Sequence, residues 1–236
     1  MLGNRLSLGV RLIILIVVLV VVLLVPKHKQ TNSQNFIAKN YKLVDGEELI
    51  GDQHLVKDIP AINPDSTVNV VIEIPAGSRD KWEVDKTSGH MVWEKKRGVH
   101  RVVPYLGYPG NYGMVPQTLL SESDGGDGDP LDVIVLSGSV PRGSVLRVHV
   151  IGTLKLLDNH EKDDKLLAVI PGDTFDNARS INQLEKMFPG VLSIVQTWFV
   201  HYKGAGQLES SGFSDRAEAW KLIDKARESY QNSSVY

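Results

Sequence analysis

Short apolar runs, nearly all bounded by glycine or proline, recur along the chain between residues 68 and 170. Runs of about four to eight residues with such boundaries are typical of β-strands, because glycine and proline favour the turns between them. Closely spaced short strands favour a small closed barrel. Strands are predicted over residues 68–74, 81–84, 131–136, 144–152 and 166–170.

Helical periodicity is found only near the C-terminus. One helix is predicted over residues 191–202 and a second over residues 214–230, with Ser214 as its N-cap. The second helix carries an apolar stripe formed by Ala217, Trp220, Ile223 and Ala226. The predicted fold class is therefore α+β, mainly β, with helices packed outside the barrel.

The N-terminus carries an apolar run of a different kind. Residues 12–25 contain no polar side chain, with Arg5 and Arg11 before them and Lys27 and Lys29 after them. At about 1.5 Å per residue the run is short for a hydrocarbon core of roughly 30 Å. No cleavage site of the Ala-x-Ala kind follows it. We therefore favour an uncleaved membrane anchor, with a signal peptide as the alternative.

The composition changes along the chain indicate three parts. We predict a signal-anchor, transmembrane or signal segment over residues 1–26, a linker and lead-in over 27–66, and a folded domain over 67–236. The flanking basic residues give a small positive-inside bias. It favours a membrane-anchored domain on the exported, extracytoplasmic (for example periplasmic) side, and the cytoplasmic side stays open.

Composition excludes several kinds of chemistry. The 236 residues contain no cysteine, which excludes disulfides, thiolate nucleophiles and cysteine-ligated zinc. The formal net charge is −2 and no basic tract is present, so no nucleic-acid partner is expected.

The densest chemical signal is acidic. Asp127-Gly-Asp129-Pro-Leu-Asp132 places three carboxylates at the start of a predicted strand, and such groups repel one another unless cations lie among them. Carboxylate oxygens suit hard cations such as Mg²⁺. A second acidic group, Asp158, Asp163 and Asp164 with Lys165, could face the first across a barrel mouth. The alternative is a solvated glycine–aspartate turn.

Basic and phenolic groups supply a complement to the carboxylates. Lys81 and Glu83 alternate with apolar residues, so a strand would place both on one face. Tyr108-Pro-Gly-Asn-Tyr112-Gly places two phenols around a turn, and Tyr202-Lys203 ends the first predicted helix. Each group taken singly could equally be a surface lysine or a tyrosine at the edge of the core.

Taken together, these motifs closely resemble the soluble, family I inorganic pyrophosphatases. The resemblance spans residues 68–203 and rests on Val-Ile-Glu73-Ile-Pro-Ala, Lys81-Trp-Glu83-Val-Asp85-Lys, the two tyrosine motifs, the aspartate motif and residues 158–165, all in the family's order. It implies a five-stranded, OB-like closed β-barrel with flanking α-helices. It also implies metal-dependent hydrolysis of inorganic pyrophosphate to two phosphates by an inorganic diphosphatase.

The resemblance also implies roles for individual residues. Asp129 would take the proton from the attacking water. The implied metal residues are Asp127, Asp132, Asp158 and Asp163 directly, with Glu73, Glu83 and Asp129 mainly through water. The implied phosphate contacts are Lys81, Tyr112, Lys165, Tyr202, Lys203 and an arginine, with Tyr108 and Asp85 in support. Several Mg²⁺ ions are the implied cofactor, with Mn²⁺ or Zn²⁺ as options, and a homo-oligomer is the implied assembly.

The chain departs from the family pattern in three places. Trp82 replaces the usual tyrosine. Extra residues before Tyr108 leave the phosphate-binding arginine without a unique counterpart, so Arg101 is chosen, with Arg97 and Lys95 as alternatives. The apolar N-terminal segment is foreign to the usual members. Two other functions therefore stay open: a membrane-tethered protein that binds metal or phosphate without turnover, and a hydrolase of longer polyphosphates or nucleoside phosphates.

Overall fold

A computed structural model describes residues 36–37, 41–122, 126–159 and 161–233. The predicted membrane-directed segment, residues 1–26, lies outside these residues. Within the described ranges, no helix is both long and apolar enough to cross a membrane.

The described elements comprise strands and helices in the following order. They are β1 (Phe36–Ile37), β2 (Lys42–Val44), β3 (Glu48–Ile50), β4 (Val68–Ile74), β5 (Trp82–Val84), β6 (Met91–Trp93), β7 (Lys95–Lys96), β8 (Val99–His100), β9 (Asn111–Met114), β10 (Asp132–Leu136), β11 (Ser144–Asp158), β12 (Glu161–Lys162), β13 (Lys165–Val169), α1 (Ile181–Met187), α2 (Val191–His201), β14 (Leu208–Ser214) and α3 (Arg216–Asn232).

Five strands hydrogen-bond in a closed ring. The order around the ring is β4, β9, β10, β13 and β11, and β11 returns to pair with β4. The pair β10–β13 is parallel and the other pairs in the ring are antiparallel. The predicted α+β fold with a closed ring of strands is therefore confirmed.

The ring differs from the prediction in one of its strands. Residues 81–84, predicted as a strand of the barrel, form β5 of a second sheet instead. Their place in the ring is taken by β9, which lies in a segment predicted to be a turn. Gly113, at the end of the predicted turn, instead allows two strands to lie close together. A Cβ on Gly113 would lie 1.9 Å from the carbonyl oxygen of Val71, so glycine allows β9 to pass close to β4.

A second, four-stranded sheet has the order β2-β3-β6-β5. Its first two strands lie within residues 27–66, the predicted linker and lead-in, so the folded unit begins no later than Tyr41. A small hairpin, β7–β8, follows it. Its two turn residues, Arg97 and Gly98, both have positive φ, as a two-residue hairpin turn requires.

β11 is longer than the predicted strand, which ends at Gly152. The strand continues to Asp158, with a register shift between Val150 and Gly152. The glycine marks close packing, because a Cβ there would lie 2.5 Å from both Ile181 and the carbonyl oxygen of Ser214. The extension carries Asp158 to the end of the ring at which β10 and β13 begin.

Helix α3 packs on the interior cluster of the ring. That cluster includes Val70 and Ile72 of β4, together with Ala219, Ile223 and Ala226 of the helix. The predicted stripe is thus partly wrong, because Ala217 is exposed and Ala219 is buried in its place. The N-cap is Asp215 rather than Ser214, and its side chain accepts a hydrogen bond from the Glu218 N–H.

Helices α1 and α2 pack on the outside of the ring, in a cluster that includes Leu184, Val195 and Phe199. Helix α2 agrees with the prediction to within one residue. Helix α1 was not predicted, because its seven residues are too few to establish a periodicity.

The phase of α3 can be tested with a matched pair of substitutions. Ala219→Leu should overpack the cluster inside the ring and lower the free energy of unfolding by about 1–3 kcal/mol. Ala217→Leu makes the same change on the exposed face and should alter it by less than about 0.5 kcal/mol. Urea unfolding followed by circular dichroism measures both. Equal losses would contradict the observed phase.

Candidate active site

The parallel pair β10–β13 places an aspartate beside a lysine at one end of the ring. Val133 pairs with Leu166, so the preceding residues, Asp132 and Lys165, are neighbours. The Lys165 ammonium donates hydrogen bonds to both Asp132 and Asp163. Only 6% of the Lys165 side chain is exposed, which makes it a buried counter-charge for two carboxylates.

The charges in this group depend on one another. Burial lowers the pKa of Lys165, but the Asp132 and Asp163 carboxylates outweigh it and the net direction is upward. Burial raises the pKa of Asp163, while Lys165 lowers it. The ammonium ion therefore stays charged and supplies a counter-charge to both carboxylates.

A second lysine–aspartate pair lies beside the first. Asp158, at the end of β11, pairs with Lys203, which follows α2. Lys203 also acts electrostatically on Asp163, so the two pairs share one region. Burial lowers the pKa of Lys203, but Asp158 more than offsets this. The prediction that the two acidic groups converge is thus supported by a continuous set of charged contacts.

The loop before β10 presents two further carboxylates. Asp127 accepts a hydrogen bond from the Asp129 N–H at 3.0 Å, and the Leu120 N–H donates to the Asp129 carbonyl at 2.8 Å. Burial raises the pKa of Asp127. The Asp129 side chain is 55% exposed and pairs with Lys86. Asp129 is thus accessible from solvent.

A cleft of about 310 Å³ opens beside Asp129 and Asp132, which both line it. Its polar lining residues are Glu73, Lys81, Glu83, Asp85, Lys86, Tyr112, Asp129 and Asp132. A β-bulge lies at Glu73, since the register of β4 against β9 shifts between Ile72 and Ile74. The Val84 N–H donates to Glu73 at 2.8 Å, and burial raises the pKa of Glu73 to about 8.

Glu83 and Lys81 share one face of the segment around β5, as predicted. Trp82 and Val84 on the opposite face are buried. Glu83 is half-buried, and burial raises its pKa. Lys81 lies 5.6 Å from the ring centroid of Tyr112, and Lys165 lies 5.9 Å from the same centroid. Tyr112 therefore joins the cleft to the lysine–aspartate pairs.

The three phenols form one aromatic group. The ring of Tyr108 lies 5.3 Å from that of Tyr112 and 6.4 Å from that of Tyr202, and Trp198 stacks on Tyr202 at 4.6 Å. Burial raises the pKa of all three tyrosines. Neutral phenols at this position can donate hydrogen bonds to an anion.

The structure separates the three candidates for the phosphate-binding arginine. The Nη1 atom of Arg101 donates hydrogen bonds of 2.8 Å to both carboxylate oxygens of Glu94. The phenols of Tyr202 and Tyr108 also act on Arg101 electrostatically. Arg97 is exposed at the β7–β8 turn, and Lys95 pairs with Glu47 on the exposed side of the same hairpin. Arg101 is thus the candidate beside the site.

Two of the acidic residues singled out in the sequence act mainly within the scaffold. Asp85 accepts hydrogen bonds from Thr87 and Ser88 in its own turn. Asp164 accepts from Lys155 at 2.5 Å and from the Leu156 N–H at 3.1 Å, facing away from Asp163. Asp163 and Asp164 both lie between β12 and β13, and their carboxylates pair with different lysines.

Sequence reasoning gave no role to Lys86. Its ammonium donates to the carbonyl of Gly128 at 3.0 Å and to the carboxylate of Asp129. The residue stands at the end of the quoted lysine motif, but a lysine in a turn is most often solvated. Only the folding of the aspartate loop against the turn after β5 brings the two together.

The donor set fits a hard divalent cation. Every predicted metal residue offers carboxylate oxygen, the ligand that Mg²⁺ prefers. Within the described ranges, no three carboxylate or imidazole groups converge on one point. Lysine ammonium groups instead lie on Asp129, Asp132, Asp158 and Asp163. The same carboxylates that attract these lysines would attract magnesium.

Comparison with known proteins adds independent information. A sequence profile described as inorganic pyrophosphatase matches residues 70–231. The inorganic pyrophosphatase of Gluconobacter oxydans is 36% identical over 178 residues, covering 72% of this chain and 92% of that protein. Inorganic pyrophosphatase 1 of Caenorhabditis elegans is 36% identical over 194 residues, covering 72% of this chain but 45% of the longer relative.

A solved structure shows the same architecture. The type I inorganic pyrophosphatase of Toxoplasma gondii matches with a TM-score of 0.71 at 28% identity, over 75% of this chain and 87% of that one. The profile match covers more than half of the chain, and the bacterial relative is matched over nearly its whole length. On these grounds this chain belongs to the inorganic pyrophosphatase family.

Proposed function

We propose that this chain hydrolyses inorganic pyrophosphate to two phosphates, as its family does. The observation that carries the proposal is a continuous set of contacts. Asp132 and Tyr112 line the cleft, and contacts of Lys165 and the tyrosine rings join them to Asp163, to the Asp158–Lys203 pair and to the other two phenols. A cleft with both carboxylates and fixed cations suits a polyanion that reaches it together with metal ions.

The cationic and phenolic groups are proposed to hold the substrate. Lys81, Lys165, Lys203 and Arg101 would bind phosphoryl oxygens, and Tyr112 and Tyr202 would donate hydrogen bonds. Support comes from the electrostatic contacts that join these groups around Tyr108 and Tyr112. Fixing both phosphates in this way supplies the alignment that phosphoryl transfer needs.

The carboxylates are proposed to hold several magnesium ions. Asp127, Asp132, Asp158 and Asp163 would be ligands, with Glu73 and Glu83 acting through water. Bound magnesium would supply concentrated positive charge that neutralises the phosphoryl oxygens and acidifies the attacking water. Mn²⁺ and Zn²⁺ are the alternatives.

Asp129 is proposed as the base. The oxygen of the water would attack one phosphorus, the bond from that phosphorus to the bridging oxygen would break, and Asp129 would take the proton. Its exposure and its place in the cleft lining support this, because a base must be within reach of the attacking water.

Several wider features are also proposals. The ring of five strands is proposed to be an OB-like barrel, and the chain to form a homo-oligomer. The apolar run at residues 12–25 supports a membrane anchor with the enzyme on the exported side. Fractionation with protease protection would test the anchor and the side it exposes.

A phosphate-release assay tests the proposed activity. With Mg²⁺ the chain should release phosphate from pyrophosphate much faster than from tripolyphosphate or ATP. Asp129→Asn should still fold and bind metal but lose at least about 10²-fold in kcat, because the proton acceptor is gone. Preference for tripolyphosphate or ATP would favour the polyphosphate hydrolase, and no turnover of any substrate would favour a binding protein. Near wild-type release by Asp129→Asn would exclude this residue as the base.

The choice of arginine has its own test. Arg101→Met should lower kcat/KM for pyrophosphate by about 10²-fold, since a charged hydrogen bond to the substrate is lost. Arg97→Met removes the same charge from the exposed hairpin turn and should leave kcat/KM within about twofold. Steady-state kinetics at saturating Mg²⁺ measures both. A larger effect at Arg97 would reverse the assignment.

The charge balance around Lys165 predicts a metal-dependent stability. Without Mg²⁺, Lys165→Met should lose on the order of 3 kcal/mol of unfolding free energy, because two partly buried carboxylates lose their counter-charge. Added Mg²⁺ should restore most of the loss. Lys86→Met is the matched control: its pair is about half exposed and should cost less than about 1 kcal/mol. Urea titrations in EDTA and in Mg²⁺ measure the difference, and equal losses in EDTA would contradict the prediction.

A further inference from the structure

Four planar groups stack behind the cleft. The Arg142 guanidinium lies 4.3 Å from the ring centroid of Trp82. The rings of Trp82 and Trp93 lie 5.7 Å apart at an interplanar angle of 20°, and those of Trp93 and His100 lie 4.3 Å apart at 16°. We call these four residues the planar stack. It crosses from the turn before β11 through β5 and β6 to β8.

The planar stack touches the backbone of the proposed site at several points. Trp82 lies between Lys81 and Glu83 in the chain, and its burial is what turns these two side chains towards the cleft. Trp93 donates from Nε1 to the Arg101 carbonyl at 3.1 Å, and the Lys81 N–H donates to the same carbonyl at 3.0 Å.

Arg142 connects the planar stack to the opposite wall of the cleft. Its Nε donates to the Glu73 carbonyl at 2.8 Å, while its guanidinium covers the face of Trp82. No carboxylate lies within salt-bridge distance of Arg142 in the part of the chain that the structure covers. Both contacts of this arginine therefore serve the scaffold around Glu73 and β5.

The cleft needs such a connection because its walls belong to different sheets. Glu73 is on β4 in the ring, whereas Glu83 is on β5 in the four-stranded sheet. Among the described strands, no ladder of backbone hydrogen bonds pairs β4 with β5. Their spacing depends on side chains: the hydrophobic cluster that holds Val71 against Trp82 and Val84, the Glu73–Val84 hydrogen bond and the Arg142 bridge.

We propose that Arg142 and Trp82 are positioning residues that set the spacing of Glu73 from Lys81 and Glu83. The inference rests on the proposed function, since these three groups act there on metal ions and phosphate. A displacement of the order of 1 Å between such groups can reduce turnover strongly. Trp82, which stands where the family usually has tyrosine, offers a larger face to Arg142 and Trp93 together.

The test begins with Arg142→Met, which removes both contacts. We expect kcat/KM for pyrophosphate to fall by about tenfold and the Mg²⁺ concentration for half-maximal activity to rise. We also expect the near-ultraviolet circular dichroism of the metal-free protein to change, because Trp82 loses its neighbour. Arg147→Met is the matched control, since that arginine pairs with exposed Asp65 on the outside of β11 and should change none of these values.

Further variants separate positioning from a loss of folding. Arg142→Lys keeps the charge without the planar group and should give an intermediate loss, and Trp82→Tyr should retain most activity because a planar face remains. The double variant Arg142→Met with Trp82→Leu should lose no more than the worse single variant, because the two residues set the same spacing. Losses that multiply to about a hundredfold would show independent effects and overturn the proposal.

A direct measurement of magnesium binding distinguishes a failure of this proposal from a failure of the proposed function. Calorimetric titration of the metal-free wild type and Arg142→Met with Mg²⁺ measures binding without turnover. Weaker binding in the variant at an unchanged melting temperature supports positioning even if pyrophosphate is not the substrate. Unchanged Mg²⁺ affinity together with an unchanged circular dichroism spectrum would overturn it.

Discussion

Mutual repulsion of carboxylates is the constraint on which this structure depends. The ring gathers Asp132, Asp158 and Asp163 at one end, where such groups could not all stay ionised without cations. Parallel pairing of β10 with β13 places the positively charged Lys165 between Asp132 and Asp163. The buried ammonium offsets this repulsion, and the same charge pattern supports the proposal of a site for metal ions and phosphate at this end of the ring.

The second constraint is that the cleft lies between two sheets. A closed ring is rigid because every strand is paired on both sides, but it offers only part of the site. The rest comes from β5, which belongs to a sheet paired separately. Side chains must therefore set the distance across the cleft. They include the hydrophobic cluster of Val71, Trp82 and Val84, the buried Glu73 and, as we propose, the planar stack.

The sequence prediction succeeded where the signal was local and failed where packing decided. The run at residues 68–74 is β4 to the residue, since all seven of its side chains are buried and its β-branched residues suit a strand. The segment before Gly113 was interpreted as a turn and Gly152 as the end of a strand, yet both glycines are points where another segment passes close. The helix stripe was predicted from spacing alone, which could not distinguish Ala217 from Ala219 until the ring defined which face is covered.

The sequence by itself determined the class of chemistry. Carboxylates, lysines and phenols in the order that the inorganic pyrophosphatase family has, without cysteine, predict a site for hard cations and phosphate. Residue type sets charge and donor atoms wherever the chain goes. Only the tertiary structure decided which of these groups meet. Asp132 and Asp163 are brought to one ammonium by strand pairing, and Arg101 is preferred over Arg97 by the turn of a hairpin. Convergence of distant residues depends on packing, and packing is a property of the whole fold and not of any short stretch of sequence.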